Sequence, residues 1–246
     1  MSTLVVTGTG TEIGKTIVTA AVAAVAAAAG RDVAVVKAAQ TGIEGSEEAD
    51  VDVVRRLSRV ADVHELVRYP EPLAPATAAR RAGVPTLRVA AMAEHIRALA
   101  GHDLILVEGA GGLLVRLDED GHTIADLAGL LAAPVLVVAA AGLGTLNGIG
   151  LTCEALRRRG LRCAGVVIGA WPSEPDLAAQ ANLDDVESYA GAPLLGVVPD
   201  GAGRLSAADF RAVARRALAP ELGGEWARPA GIEPATNRLE GGCSIH

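Results

Sequence analysis

The sequence predicts an α/β fold in which a mostly parallel β-sheet is covered by helices on both faces. Short runs of β-branched residues alternate with longer Ala- and Leu-rich segments along the chain. The strand candidates are apolar on both faces, and each is bounded by glycine, proline or charge. Strands with two apolar faces that alternate with helices are typical of a parallel sheet covered on both sides.

The strand candidates are "TLVVT", "VAVVK", "DLILVEG", "PVLVVAAA", "CAGVVIG" and "PLLGVVP", at residues 3–7, 33–37, 103–109, 134–141, 163–169 and 193–199. The first helix is predicted from about Lys15 to Ala29. Further helices are predicted near residues 50–60, 88–100, 147–159, 176–190 and 206–219. Right-handed crossovers bring the loops after the strands to one edge of the sheet, where ligands of such folds bind.

Composition and charge exclude several classes of protein. The 246-residue chain has a formal net charge of −7 and no polybasic run, which argues against nucleic acid or an anionic membrane as a partner. No signal peptide is predicted, and the apolar run at 17–29 is shorter than the roughly 20 residues of a membrane span. Cys153, Cys163 and Cys243 lack metal-ligand spacing, so we expect reduced thiols in a cytoplasmic protein.

Residues 1–220 are predicted to form a single domain, because strand and helix patterns continue through this range without an internal repeat. The pattern ends at about residue 221. Residues 221–246, which include "GIEPATNRLEGGCSIH", are therefore predicted to be a disordered or loosely docked tail outside the core.

The first strand leads into a glycine-rich turn, "TGTGTEIGKT", that opens the first helix. The usual phosphate-binding loop has glycine, four residues and then Gly-Lys-Ser/Thr, whereas Gly8 lies one residue too early. In such a turn, backbone N–H groups bind phosphate, Lys15 bridges the outer phosphates and Thr16 offers its hydroxyl to Mg²⁺. The context predicts a single-domain P-loop NTPase fold, and the carboxylate of Glu12 indicates a nearby metal or substrate amine.

Charged residues at the ends of two further strands are candidates for metal binding and catalysis. Glu108 ends a buried strand, and Mg²⁺ is commonly held by carboxylates and phosphate oxygens. Asp50 or Asp52 can supply a second carboxylate, and sequence spacing does not decide between them. Lys37 also ends a strand at this edge, where it can neutralise the charge of a transferring phosphoryl group. A strand-end lysine that reaches solvent is the alternative.

Five blocks together resemble the dethiobiotin synthetase family: "TGTGTEIGKT", "VVKAAQTG", "YPEPLAPATAA", "LVEGAGGLLV" and "LGTLNGIGLT". The resemblance covers residues 3 to about 219, and the family's loop also has five residues between its glycines. It implies a ligase of biotin biosynthesis that closes a cyclic urea on 7,8-diaminononanoate with CO₂, ATP and Mg²⁺. A carbamate would form first, then a carbamic-phosphoric mixed anhydride, and the second amine would displace phosphate.

The resemblance also implies roles for individual residues. Lys37 and Lys15 would be catalytic, Lys37 binding the carbamate and Lys15 the phosphates. The implied magnesium ligands are Thr16, Asp50 and Glu108, since the family pattern favours Asp50. The implied nucleotide-binding residues are Glu12, Ile13, Gly14, Lys15, Thr16, Ile17, Gly169, Ala170, Pro199 and Asp200. The implied substrate-binding residues are Thr11, Lys37, Thr41, Glu108, Gly109, Ala110, Gly111, Leu143, Gly144 and Asn147.

The family works as a homodimer with the substrate at the subunit interface. The segment "LGTLN" at 143–147 would then receive the substrate's tail carboxylate from the other subunit, with Asn147 as a helix N-cap. An ordinary loop and cap is the alternative interpretation of this segment.

The chain departs from the family pattern at three positions. Ala38 stands where proline is usual, which predicts a less rigid loop. Gly148 replaces a common histidine, which predicts a looser helix start. Gly169 stands where some members carry an asparagine that reads adenine. We therefore expect a permissive base site that accepts ATP or another nucleoside triphosphate.

Two other classes of protein share parts of this pattern. A switch ATPase of the partitioning type has the same fold, but usually carries a lysine near the start of its loop, where this chain has Thr9, Gly10 and Thr11. A synthetase linked to a glutaminase would need a further domain with a nucleophilic cysteine, for which residues 200–246 are too short. A structural protein with a degenerate nucleotide site is disfavoured because Lys15, Thr16 and Lys37 are all present.

Overall fold

The computed structural model describes residues 2–43 and 48–227. Its main sheet contains β1 (Ser2–Gly8), β2 (Val33–Lys37), β4 (Val63–Glu65), β6 (Leu104–Glu108), β7 (Val135–Ala139), β8 (Cys163–Trp171) and β9 (Leu194–Pro199). A small second sheet pairs β3 (Gln40–Thr41) with β5 (Arg68–Tyr69). The main sheet has the order β4-β2-β6-β1-β7-β8-β9, and all of its strand pairs are parallel.

The helices of the described chain are α1 (Lys15–Ala28), α2 (Asp50–Ser58), α3 (Pro75–Ala82), α4 (Val89–Ala98), α5 (Ile124–Leu130), α6 (Thr145–Arg158), α7 (Leu177–Ala190) and α8 (Ala207–Ala217). Helices α1, α2 and α8 contribute to one apolar core, and α4 to α7 contribute to another. Each core includes a different set of residues from the strands of the main sheet, so the sheet is covered on both faces. The predicted α/β class with a mostly parallel sheet is confirmed.

The central position of β1 follows from its sequence. Val5 and Val6 are fully buried, on opposite faces of the strand, and each belongs to a different core. The helix that follows is buried from Val18 to Ala26, because its small alanine side chains let it lie close to the sheet. This arrangement holds the turn between β1 and α1 at the middle of the carboxyl edge.

All six predicted strands are present, with ends that differ by a few residues. The prediction missed α3, α5, β3, β4 and β5. The three strands have only two or three residues, too few to show an alternating pattern. Helix α5 is also short, although Thr123 and Asp126 form a capping box at its start. The missed elements do not change the fold class.

The described chain remains packed beyond the predicted domain end at residue 220. A 3₁₀ turn occupies Pro220–Leu222, and the backbone N–H of Trp226 donates to the Leu218 carbonyl at 2.8 Å. The partly buried Trp226 side chain packs against the core. The rest of the predicted tail, residues 228–246 with Cys243, lies outside the described residues.

Two further observations concern predictions from composition. Cys153 and Cys163 are free thiols whose sulfur atoms lie 3.9 Å apart. Across residues 2–43 and 48–227, no helix combines the length and apolar character that a membrane span requires.

Candidate active site

A buried lysine lies between two carboxylates at the carboxyl edge of the main sheet. Lys37 ends β2 and Glu108 ends β6, and the two residues are paired in the strand register. The Lys37 ammonium donates to Glu108 Oε1 at 2.7 Å and lies 2.5 Å from Asp50 Oδ2. It also contacts the Gly109 carbonyl at 3.3 Å. With 5% of its surface exposed, Lys37 does not reach solvent as the alternative interpretation required.

The glycine-rich turn between β1 and α1 forms a compact loop beside this lysine. Gly14 and Glu12 both have positive φ angles, 89° and 58°, and Lys15 folds back so that Nζ donates to the Gly10 carbonyl at 2.7 Å. Among the described residues, no protein group accepts a hydrogen bond from the backbone N–H groups of 10–14. Free N–H groups that precede a helix form an anion-binding site.

Loop and strand ends enclose a cavity of about 300 Å³. Its lining residues are Thr11, Glu12, Ile13, Gly14, Lys15, Thr16, Lys37, Ala39, Gln40, Thr41, Asp50, Glu108, Ala110 and Gly111. The structure therefore brings together most of the predicted phosphate, metal and substrate residues. Ile17 and Gly109 lie outside the lining, although the Gly109 carbonyl contacts Lys37.

Burial and charge act in opposite directions on the two lysines of the cavity. For Lys37, burial disfavours the charged form, but the nearby carboxylates of Glu108 and Asp50 outweigh burial and raise its pKa. For Lys15, burial and the charge of Lys37 lower the pKa, and the same carboxylates oppose the change only in part. Lys37 is therefore held as a fixed cation, whereas the charge of Lys15 is costly until an anion binds.

These opposite shifts predict opposite dependences of stability on pH. The raised pKa of Lys37 gives stability that is complete below 10.5, its ordinary pKa, and is lost as pH rises through the folded-state pKa. The lowered pKa of Lys15 means that the unfolded chain binds more protons below 10.5, so this lysine becomes less destabilising as pH rises.

We expect two opposite slopes when the variants Lys37→Met and Lys15→Met are compared with the wild type by chemical denaturation at increasing pH. The wild type should lose stability relative to Lys37→Met above pH 10.5. It should gain stability relative to Lys15→Met below that pH. Slopes of equal sign for the two variants would contradict the shifts.

Only one of the two candidate aspartates reaches the cavity. Asp50 begins α2 and contacts Lys37, whereas Asp52 forms an exposed ion pair with Arg55 at 2.7 Å. The Thr16 hydroxyl donates to Glu108 Oε1 at 2.9 Å, and the carboxylates of Asp50 and Glu108 contact the same ammonium. Three hard oxygen donors thus converge beside the phosphate loop, a set that fits Mg²⁺.

The end of β8 lies against the phosphate loop, outside the cavity lining, and β9 pairs with β8. A Cβ atom added at Gly169 would lie 2.1 Å from the Ile13 carbonyl oxygen, so β8 and the loop are in backbone contact. Trp171 is paired with Pro199, and the Asp200 N–H donates to the Trp171 carbonyl at 2.7 Å. The four residues predicted to frame the base are therefore grouped at one side of the loop.

The close contact at Gly169 predicts a large effect of adding a side chain. Gly169→Ala should lower the free energy of unfolding by about 1–3 kcal/mol and weaken nucleotide binding, because Ile13 and Gly14 must move. Denaturation and calorimetric nucleotide titration measure both effects. Gly101→Ala is the matched control, since a Cβ atom there meets nothing within 4 Å. Equal behaviour of the two variants would contradict the prediction.

The predicted segment at 143–147 lies outside the cavity of its own chain. Leu143 is 91% exposed and Asn147 is also exposed. The N-cap prediction for Asn147 is wrong, because α6 begins at Thr145 and Gly144, with φ 92°, occupies the N-cap position. The Thr145 hydroxyl instead donates to the Ala140 carbonyl at 2.7 Å. This bond holds the loop after β7 against the start of α6.

Two departures from the family pattern have local explanations. The N–H of Ala38 donates to the Glu108 carbonyl at 2.9 Å, a bond that proline cannot form. A Cβ atom at Gly148 would lie 3.3 Å from Thr9 Cβ, so this glycine lets α6 pack closely on the phosphate loop. At Ala38, the extra hydrogen bond opposes the loosening that the sequence predicted.

Sequence reasoning missed Ala39 and Gln40 as residues of the cavity. Gln40 is the more informative of the two, because its polar side chain is only 6% exposed. Its position between Lys37 and Thr41 in the block "VVKAAQTG" was the available signal.

The fold and the loop define a P-loop nucleotide-binding protein. A septum site-determining protein MinD from Pyrococcus horikoshii, complexed with Mg-ADP, has a TM-score of 0.57 at 18% identity, covering 90% of this chain and 94% of its own. A ParA family ATPase from Chlorobium tepidum has a TM-score of 0.53 at 15% identity, with coverages of 90% and 95%. A family model described as an AAA domain matches residues 2–203.

Curated relatives identify the family within this class. An ATP-dependent dethiobiotin synthetase BioD from Saccharopolyspora erythraea is 63% identical over 93% of this chain and all of its own length. Its counterpart from Streptomyces coelicolor is 60% identical over 92% of this chain and 95% of its own. The chain belongs to the dethiobiotin synthetase family and is a ligase that forms C–N bonds.

Proposed function

We propose that the protein catalyses the ATP-dependent ring closure of 7,8-diaminononanoate with CO₂ to dethiobiotin, in biotin biosynthesis. The names of its relatives support this activity. The observation that carries the proposal is the buried Lys37 ammonium, set between Asp50 and Glu108 in the same cavity as Lys15.

The phosphate loop provides the nucleotide site in this proposal. Lys15 and the free N–H groups of 10–14 would bind the phosphates, since both offer positive charge to the same point. Glu12, Ile13, Gly14, Thr16 and Ile17 complete the loop, and Gly169, Ala170, Pro199 and Asp200 would frame the base. The glycine at 169 presents no side chain to the base, which supports use of ATP or another nucleoside triphosphate.

Lys37 would act on the carbamate and on the phosphoryl group. One substrate amine attacks CO₂, forming a C–N bond and releasing a proton, and the carbamate anion binds the Lys37 ammonium. A carbamate oxygen then attacks the γ-phosphorus, and the nucleoside diphosphate leaves. Lys37 stabilises the charge on both reacting groups, which is the main contribution of protein groups to phosphoryl transfer. The second amine finally attacks the carbamoyl carbon, the C–O bond to phosphate breaks, phosphate leaves, and the new urea nitrogen releases its proton as the ring closes.

The remaining polar groups of the cavity would hold the diamine. Thr11, Thr41 and Glu12 line the space next to Lys37, and Ala110 with Gly111 allows the substrate to approach the backbone. Thr16, Asp50 and Glu108 would hold Mg²⁺, which when bound neutralises phosphate charge and orients the triphosphate. Glu108, at the end of β6, thus belongs to both the proposed metal site and the proposed substrate site.

The proposal includes a homodimer in the cytoplasm. Leu143, Gly144 and Asn147 are exposed and lie outside the cavity of their own chain. In the proposed dimer, backbone N–H groups at the start of α6 receive the substrate's tail carboxylate in the other subunit's site.

A turnover assay tests the proposed activity. Purified protein is supplied with diaminononanoate, bicarbonate, Mg²⁺ and one nucleoside triphosphate at a time, and phosphate release and dethiobiotin are measured. We expect phosphate release that depends on the diamine and equals the dethiobiotin formed. Phosphate release independent of the diamine would instead support a switch ATPase of the partitioning type.

A further inference from the structure

We propose that Gln40 is a positioning residue that sets the place of Asp50 in the active site. The inference rests on the proposed function, in which Asp50 is a metal ligand. Gln40 lines the cavity and is 6% exposed, yet it has no role in the proposed chemistry. A buried amide side chain requires hydrogen-bond partners on both its oxygen and its nitrogen.

The partners of Gln40 connect two elements of the site. Its side-chain oxygen accepts from the backbone N–H of Asp50 at 3.2 Å, and its side-chain nitrogen donates to the Thr41 carbonyl at 3.2 Å. These partners determine the orientation of the amide, because an N–H group only donates and a carbonyl only accepts. Gln40 therefore links β3, the short strand that follows Lys37 in the chain, to the start of α2.

Helix α2 needs this contact because it has no side-chain cap of its own. Its N-cap residue is Ala49, whose side chain offers no acceptor, and the first N–H of the helix belongs to Asp50. The first N–H groups of a helix have no partner within the helix. The Gln40 oxygen thus replaces the missing cap at Asp50, whose carboxylate contacts Lys37.

The backbone of Gln40 is itself anchored. It lies in β3, its N–H donates to the Val67 carbonyl at 2.8 Å, and it is paired with Arg68 of β5. The small second sheet thus fixes the backbone of Gln40 in β3. Through Gln40 it also fixes Asp50, the first residue of α2, whose carboxylate contacts Lys37. Partners of metal ligands typically change metal affinity about 10–100-fold when they are replaced.

The test uses Gln40→Met, which keeps the side-chain length and removes both hydrogen bonds. Mn²⁺ binding to the protein with a non-hydrolysable nucleotide is followed by electron paramagnetic resonance, and KM and kcat are measured separately. We expect Mn²⁺ affinity to fall about 10-fold and kcat to fall, with the nucleotide affinity measured in the absence of a divalent metal unchanged. A purely structural role would lower thermal stability without changing the Mn²⁺ affinity of the folded protein.

Two further variants make the outcome decisive. Gln180→Met is the matched control, because the exposed Gln180 donates to the Pro175 carbonyl at 2.8 Å far from the cavity residues in sequence. Its Mn²⁺ affinity should equal that of the wild type. Asp50→Asn should weaken Mn²⁺ binding at least as much as Gln40→Met.

If Asp50→Asn weakens metal binding but Gln40→Met does not, the positioning role is overturned and the proposed metal site stands. If Asp50→Asn leaves metal binding unchanged, the metal assignment fails and the positioning role fails with it. Should Gln40→Met not fold, Gln40→Asn replaces it, since the shorter amide cannot reach both partners. The same loss of Mn²⁺ affinity is expected for it, and unchanged affinity would overturn the inference.

Discussion

Lys37→Ala is expected to lower turnover about 1,000-fold while leaving nucleotide affinity nearly unchanged. The lysine is buried and its carboxylate neighbours raise its pKa, so it is a cation at every pH at which the enzyme would work. The carbamate and the transferring phosphoryl group are both anionic. Loss of the cation therefore removes stabilisation where charge develops, and alanine offers no substitute.

Nucleotide affinity should survive because the phosphate site is built from other groups. Lys15 is held within the loop, since its Nζ donates to the Gly10 carbonyl. The charge of Lys37 lowers the pKa of Lys15, so its removal favours the charged form that binds phosphate. Steady-state turnover and calorimetric titration with a non-hydrolysable nucleotide separate the two effects.

Arg55→Ala is the matched control for the loss of one positive charge. Arg55 lies on α2 near the site in sequence, but its ion pair with Asp52 is exposed to solvent. Its replacement should leave both turnover and nucleotide affinity at wild-type values. If Lys37→Ala lost nucleotide binding to the same extent as turnover, the carbamate role of Lys37 would be wrong.

The fold was largely predictable because its strands carry a strong local signal. Val33–Lys37 and Leu104–Glu108 are short, apolar and bounded by polar residues, so each is recognisable without its partners. Helix α3 was hidden because Pro75 at its start lies in a proline-rich segment that looks like a loop. The strands β3 and β5 exist only through their pairing with each other, which no local pattern reveals.

The site residues that lie at the end of a β-strand could be predicted from the sequence. Lys37, Glu108 and the phosphate loop all occupy such positions, and the parallel sheet brings them together. Asp50 could not be separated from Asp52 by spacing alone, because the choice depends on which side of α2 faces the sheet. The contact between Gln40 and the start of α2 crosses ten residues of chain and depends on tertiary packing.

The buried ion pair at the centre of the site raises the question of what it contributes to stability. Glu108 is 1% exposed and Lys37 5%, so each charge would be strongly disfavoured without the other. Removal of one partner from a buried pair costs about 3–5 kcal/mol, whereas replacement of both by neutral groups is often close to neutral. Net stabilisation therefore does not explain such a pair, whereas the proposed role of Lys37 requires it.

The expected result is strong coupling between Lys37→Met and Glu108→Gln. Each single variant should lower the free energy of unfolding by about 3 kcal/mol, moderated by the second carboxylate of Asp50 and by the Thr16 hydroxyl that donates to Glu108. The double variant should lose less than the sum of the two, with a coupling energy of about 1–3 kcal/mol. Chemical denaturation of the four proteins near neutral pH measures the cycle.

Turnover should follow a different rule, because all three variants lack a group that the proposed chemistry requires. The double variant would lose less stability than the sum of the two single losses and would remain inactive. The exposed pair of Arg55 and Asp52 provides the control cycle, in which Arg55→Met and Asp52→Asn should add within about 0.5 kcal/mol. If the losses of unfolding free energy at Lys37 and Glu108 were additive, each charge would be compensated by solvent and not by its partner. The buried pair would then explain neither the raised pKa of Lys37 nor its fixed position.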